Sequence, residues 1–124
     1  MALHHDLPIY KPTYALLVLI SEFCKNMPRN FKTSLGVKLQ EECVDLTVLI
    51  FRANVSFNKT PFIEMMRERI QVVELQLRLS QDLRLISTKQ YSEAITLTDD
   101  IGRQTTGWLK SSIPAPALEQ PRLF

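Results

Sequence analysis

The chain has 124 residues, 45% of them hydrophobic and 23% charged, with a formal charge of +2 from 15 basic and 13 acidic side chains. That length suits one domain, and the near balance of charge excludes the strongly basic class of dedicated nucleic-acid binders. With only three glycines, and with Leu, Glu, Lys, Arg and Gln running through the periodic segments, the composition points to an all-α fold.

Pro8 and Pro12 restrict the start of the first helix, because proline is tolerated in a first turn and disruptive later. The helix is expected from Lys11, or from Asp6 with a kink at Pro12, up to Pro28. It contains YALLVLI, Tyr14 to Ile20, seven apolar residues in a row. A helix packed on a single core needs only one apolar stripe, so a segment greasy on every side implies cover on a second face. Leu17, Ile20, Cys24 and Met27 have the three-four spacing of a buried seam. Leu16, Leu19 and Phe23 form another face, expected to meet a neighbouring copy of the chain. The run falls short of the roughly 20 apolar residues that span a bilayer, and no basic-then-apolar leader precedes it. Together with two cysteines, Cys24 and Cys43, this fits a cytoplasmic protein with reduced thiols and no membrane role.

The second helix is expected from Pro28 or Ser34 to Asn54. Leu35, Leu39, Cys43, Leu46, Ile50 and Ala53 make its core seam, while Val44, Val48, Phe51 and Val55 lie well round the cylinder. Val44, Val48 and Phe51 complete the expected contact between copies. Thr60-Pro61 opens the third helix, with a hydroxyl to cap free N–H groups, a proline preset for the first turn and Glu64 near the positive end of the dipole. Phe62, Met66, Ile70, Val73 and Leu77 form its core seam and Met65, Val72, Leu79 and Leu83 a second side, with the end near Leu85. Ser87 and Gln90 stand at capping-box spacing, and Tyr91, Ala94, Thr98, Ile101, Thr105 and Trp108 make a narrower stripe through the fourth helix. The ending SSIPAPALEQPRLF has three prolines and no period. Residues 1–112 are therefore expected to form an up-down-up-down four-helix bundle, and 113–124 a flexible Pro-rich tail.

The residues of a catalytic or metal centre are missing from the pattern. His4 and His5 are adjacent, with no cysteine or carboxylate at ligand spacing, and no histidine follows them, which excludes the Glu-x-x-His pairs of di-iron bundles. Cys24 and Cys43 lie on apolar faces and read as inert core thiols. TSLGVKL lacks the spacing of a phosphate-cradling loop. Glu41, Glu42 and Asp45, like Asp99 and Asp100, sit beside apolar seams, where a solvated face or an ion pair explains them. No cofactor, metal or catalytic residue is expected.

Positive charge nevertheless collects. Alternating helix direction brings the first and third connections to one end, which gathers Lys25, Arg29, Lys32, Arg78, Arg84 and Lys89 against Glu22, Asp82 and Glu93. At the other end Asp6, Glu64, Glu68, Asp99 and Asp100 dilute Lys11, Arg52, Lys59, Arg67, Arg69, Arg103 and Lys110. Copies aligned about an axis would multiply the first cluster into a ring that attracts phosphates. The alternative is that bases near helix C-termini merely complement the dipole.

DLPIYK, MPRNFKTSLGVKLQEECVDLTVLIFRAN and ISTKQYSEAITLTDDIGRQTTGWLKSS together resemble the four-helix-bundle family that contains the accessory variability determinant (Avd) of diversity-generating retroelements and the proteins encoded in 23S rRNA intervening sequences. The likeness runs from about Asp6 to Ser112. It rests on the proline before the second helix, Leu35-Gly36, Leu39-Gln40, Arg52-Ala53-Asn54, Ile101-Gly102 and Gly107-Trp108-Leu109. VLIFRANVS stands where the intervening-sequence branch has a serine, isoleucine, asparagine and Glu-Gly pattern, which favours the Avd-like branch. The resemblance implies a homopentamer of four-helix bundles with a positive surface, associating with a reverse transcriptase and with RNA or DNA. Surplus apolar stripes on the first three helices suit such side-by-side packing. Beside Ile101, Gly102 reads as a close-approach position.

Two functions follow as expectations. The first is a non-enzymatic, homo-oligomeric accessory that binds nucleic acid through phosphates. The second is a structural or protein-interaction scaffold of the same family with no nucleic-acid role. An enzyme ranks third.

Overall fold

The computed structural model describes Leu3 and residues 6–112, among which there are four helices and no strand. The first, α1 (Tyr10–Lys25), takes Pro12 into its first turn, where an imide nitrogen forfeits no helical hydrogen bond. Pro28 then stands extended, at φ −55° and ψ 149°, and caps the second helix. This helix, α2, covers 29–55: an α-turn at Arg29–Phe31, a π-helical stretch at Lys32–Gly36, and a regular α-helix at Val37–Val55. It starts at Arg29, directly after Pro28, the earlier of the two expected starts.

Gly36 explains the close approach of α1 and α2 at the π-helical stretch. A Cβ on Gly36 would lie 3.1 Å from Cys24 Sγ, and the Cys24 thiol donates to the Gly36 carbonyl at 3.5 Å. The bare backbone is therefore what admits the buried thiol.

The third helix, α3 (Thr60–Asp82), and the fourth, α4 (Thr88–Ser112), complete the bundle. Thr60 does not cap α3, which begins without any side-chain cap; the proline is what presets its first turn. The capping box of α4 is formed as expected. Gln90 N–H donates to Ser87 Oγ at 3.0 Å, and Ser87 N–H donates to Gln90 Oε1 at 2.8 Å.

Each helix packs against its neighbours in the chain, and α4 closes against α1, as an up-down-up-down bundle requires. The core takes Leu39, Cys43, Leu46, Ile50 and Ala53 from α2 and Met66, Ile70, Val73 and Leu77 from α3, all in the expected seams. On α3 Ile63 is the buried residue of the first turn, and Phe62 only packs partly against the core.

On α1 the expectation about the outer face needs correcting. Leu16 is 0% and Phe23 2% exposed, so both belong to the core of a single chain and neither is available to another copy. Leu16, Ile20, Phe23, Cys24 and Met27 form one continuous i, i+3/i+4 seam facing the other helices. Leu17 and Leu19 are only half-buried at its flanks. The apolar residues that α1 leaves outside are Tyr14, 52% exposed, and Val18, 46% exposed. The Pro-rich tail at 113–124, like His4 and His5, lies outside the described residues.

Candidate functional site

Helix direction alone decides where the cations go. The C-termini of α1 and α3 and the N-termini of α2 and α4 share one end of the bundle, and that end carries Lys25, Arg29, Lys32, Arg78, Arg84 and Lys89, every one exposed. Two of the six are engaged: Lys25 with Glu22 at 2.9 Å and Arg78 with Asp82 at 3.5 Å, both exposed pairs along one helix. Such pairs are weak and screened by salt. The side chains of Arg29, Lys32, Arg84 and Lys89 make no hydrogen bond or ion pair with any described residue.

At the opposite end four of the seven cations are occupied, whereas Lys11, Arg52 and Lys110 make no side-chain hydrogen bond or ion pair with a described residue. Arg67 lies 3.6 Å from Glu64 and Arg103 3.7 Å from Asp100. Lys59 is turned inward on the α2–α3 connection, where its ammonium donates to the carbonyls of Ala53, Asn54 and Ser56. It closes the C-terminus of α2, a role that no periodic pattern in the sequence signals. Arg69 lies between α2 and α3 and donates to both carboxylate oxygens of Glu42, at 3.0 and 3.1 Å, and to Glu68 at 3.0 Å. Four unpaired cations thus gather at the first end, while at the other end pairing and a larger number of carboxylates reduce the positive field without removing it.

A second feature is apolar. On α2, Val37, Val44, Val48, Phe51 and Val55 are exposed along one stripe about 27 Å long at 1.5 Å per residue. On α3, Met65, Leu75, Leu79 and Leu83 are exposed too, whereas α4 exposes no large hydrophobic residue. Of the residues expected to meet another copy, Val44, Val48 and Phe51 therefore lie outside, Leu19 is half-buried between α1 and α4, and Leu16 and Phe23 are inside. A Cβ on Gly102 would meet nothing within 4 Å, so within one chain this glycine is not a close-approach position.

Neither thiol is poised for nucleophilic chemistry. Burial pushes Cys43 up to about 12, helped by the negative charge of Glu42. Burial also raises Cys24, against an opposing effect of Lys32. Glu42, the best placed of the α2 acids, is held by Arg69. Among the described residues no group of His, Cys, Asp or Glu is arranged to hold a metal ion, and no helix is long and apolar enough to cross a membrane.

What this arrangement offers chemically is a cationic surface at one end, able to attract anions, and an apolar flank on α2 and α3. The model of a protein family described as bAvd-like matches residues 8–112 of the chain. Neither the curated proteins nor the solved structures yield a match.

Proposed function

Since the chain belongs to the bAvd-like family, and so at family level to the Avd-type accessory proteins, we propose that it is a non-enzymatic, homo-oligomeric accessory that binds RNA or DNA through phosphates and serves a retroelement reverse transcriptase. The observation that carries the nucleic-acid part is the set of unpaired cations, Arg29, Lys32, Arg84 and Lys89, gathered at one end of a nearly neutral chain. A ring of copies, five in the form the family resemblance suggests, would set these clusters side by side about one axis. Charge too sparse in one copy to hold a polyanion then becomes a continuous positive rim. The apolar stripe on α2, with its continuation on α3, supplies surface for copies to pack through.

Contacts of this kind position a nucleic acid without reading bases. Affinity should fall steeply between low and physiological salt and vary little with sequence. The decisive experiment measures binding and oligomeric mass together for the wild type and for the Arg29→Glu, Lys32→Glu double variant. Lost binding with unchanged mass supports the accessory reading. Binding that ignores both salt and charge reversal defeats it, and an assembly that binds no nucleic acid even at low salt leaves the scaffold reading in its place.

A further inference from the structure

The corner between α3 and α4 is closed in an uncommon way. Leu83 caps α3, and the chain reverses through Arg84 at φ 61°, the one non-glycine residue with positive φ among the described residues. Arg84 N–H donates to Gln81 O at 2.9 Å, and Leu85 N–H to Ser80 O at 2.8 Å. This is the hydrogen-bonded helix ending in which the left-handed residue is usually glycine, because a Cβ there crowds the backbone. An arginine in that position carries a conformational cost, and its guanidinium makes no hydrogen bond or ion pair within the described chain to offset it.

Arg84 lines an open cleft of about 800 Å³ together with Arg78, Gln81, Thr88 and Tyr91. Its chemistry is mixed. Thr88 Oγ1 accepts a hydrogen bond from Gln81 Nε2 at 3.3 Å and keeps its own proton to donate. Tyr91 is half-buried, packed against the core and also lining the cleft. The one acid there, Asp82, faces Arg78. Two guanidiniums, a hydroxyl donor and a phenol ring thus line one concavity.

Resting on the reading that the basic end binds nucleic acid, we propose that this cleft takes a nucleotide of a single strand, its phosphate held by Arg78 and Arg84 and its base stacked on Tyr91. A rim of cations alone would accept a duplex equally well, since a duplex presents phosphates outward. A duplex cannot offer an unstacked base to a ring that lines a cleft, whereas a single strand can. The backbone cost at Arg84 is then met by a phosphate rather than by a contact within the chain.

The test compares a short oligothymidylate, an oligouridylate of equal length and a duplex of that length, each fluorescently labelled, against the full chain at low salt. The variants are Arg84→Gly, which relieves the backbone while removing the guanidinium, and Tyr91→Leu, which keeps an apolar side chain on the core. Single strands should bind more tightly than the duplex. Tyr91→Leu should weaken single-strand binding about tenfold while leaving duplex binding nearly unchanged, and Arg84→Gly, which also removes one cation of the rim, should weaken single-strand binding about tenfold and duplex binding by clearly less. Arg84→Gly should melt no lower than the wild type, so its loss of binding cannot be ascribed to misfolding. Equal binding of single strand and duplex, or either variant matching the wild type on single strands, overturns the cleft as a single-strand site while leaving general phosphate binding standing. If no nucleic acid of any kind binds, the functional reading above fails and the cleft proposal falls with it. The oligothymidylate and oligouridylate arms tell DNA from RNA as the source of the strand.

Discussion

Lys59 Nζ donates to the Ala53 carbonyl oxygen at 2.9 Å, and the same ammonium reaches Asn54 O at 3.1 Å and Ser56 O at 3.0 Å. The last carbonyls of a helix have no partner within it and form its negative pole, so one cation satisfies several of them at once. Lys59→Met keeps most of the stem and removes all three donors. It should lower stability by about 1–2 kcal/mol in urea denaturation and speed amide exchange at the end of α2. An unchanged midpoint would show that water replaces the ammonium at no cost.

The second prediction concerns Gly36. Alanine there gains up to about 1 kcal/mol of helix propensity but places a methyl 3.1 Å from Cys24 Sγ. Crowding in a packed core costs roughly 1–3 kcal/mol, so Gly36→Ala should destabilise the wild type. In a Cys24→Ala background the sulfur is gone and the same substitution should become neutral or stabilising. The two changes must therefore couple in a double-mutant cycle; strict additivity would refute the contact.

Cys43 makes stability depend on alkaline pH. Its folded value is raised to about 12, chiefly by burial, while a thiol in the unfolded chain loses its proton near 8.5. A group whose folded value lies above its unfolded value contributes stability that is complete below the unfolded one and is lost as pH rises toward the folded one. The protein should hold its stability up to about pH 8 and lose it progressively toward pH 12. Denaturation of a Cys43→Ala variant over the same range should show a shallower decline, and a parallel decline would assign the effect to other groups.

Leu16 and Val48 offer a contrast between core and flank. Leu16→Glu puts a carboxylate into the centre of the bundle and should abolish folding, with a loss above about 4 kcal/mol. Val48→Glu changes an exposed residue of the α2 stripe, and should leave the helical spectrum and melting of the single bundle intact while breaking the proposed assembly into monomers. Light scattering on the size-exclusion peak reads this directly; an unchanged mass would remove the α2 stripe from the interface.

Much of the architecture was legible beforehand because it is written in short-range patterns. Proline positions, the Ser87–Gln90 box and the three-four spacing on α2 and α3 depend on residues within one or two turns and appear where the sequence places them, except in the first turn of α3, where Ile63 rather than Phe62 is buried. The gathering of Lys25, Arg29, Lys32, Arg78, Arg84 and Lys89 followed from alternating helix direction alone. Their pairing did not. The sequence places Lys59 among the bases of the opposite end, and only its position against the α2 terminus shows it to be a helix cap. The left-handed Arg84 gave no signal either, since arginine is not a residue that marks such a turn.

By itself the sequence determined four amphipathic helices, their order and direction, and a surplus of apolar surface on the first three, since local periodicity and punctuation suffice for each. Tertiary structure decided which of two apolar faces on α1 turns inward, taking Leu16 and Phe23 into the core and leaving Tyr14 and Val18 outside. It also decided which cations stay free. A helix with apolar residues all round has no preferred orientation of its own; the three helices packed around the core choose it, by burying the set of side chains that fills the space between them.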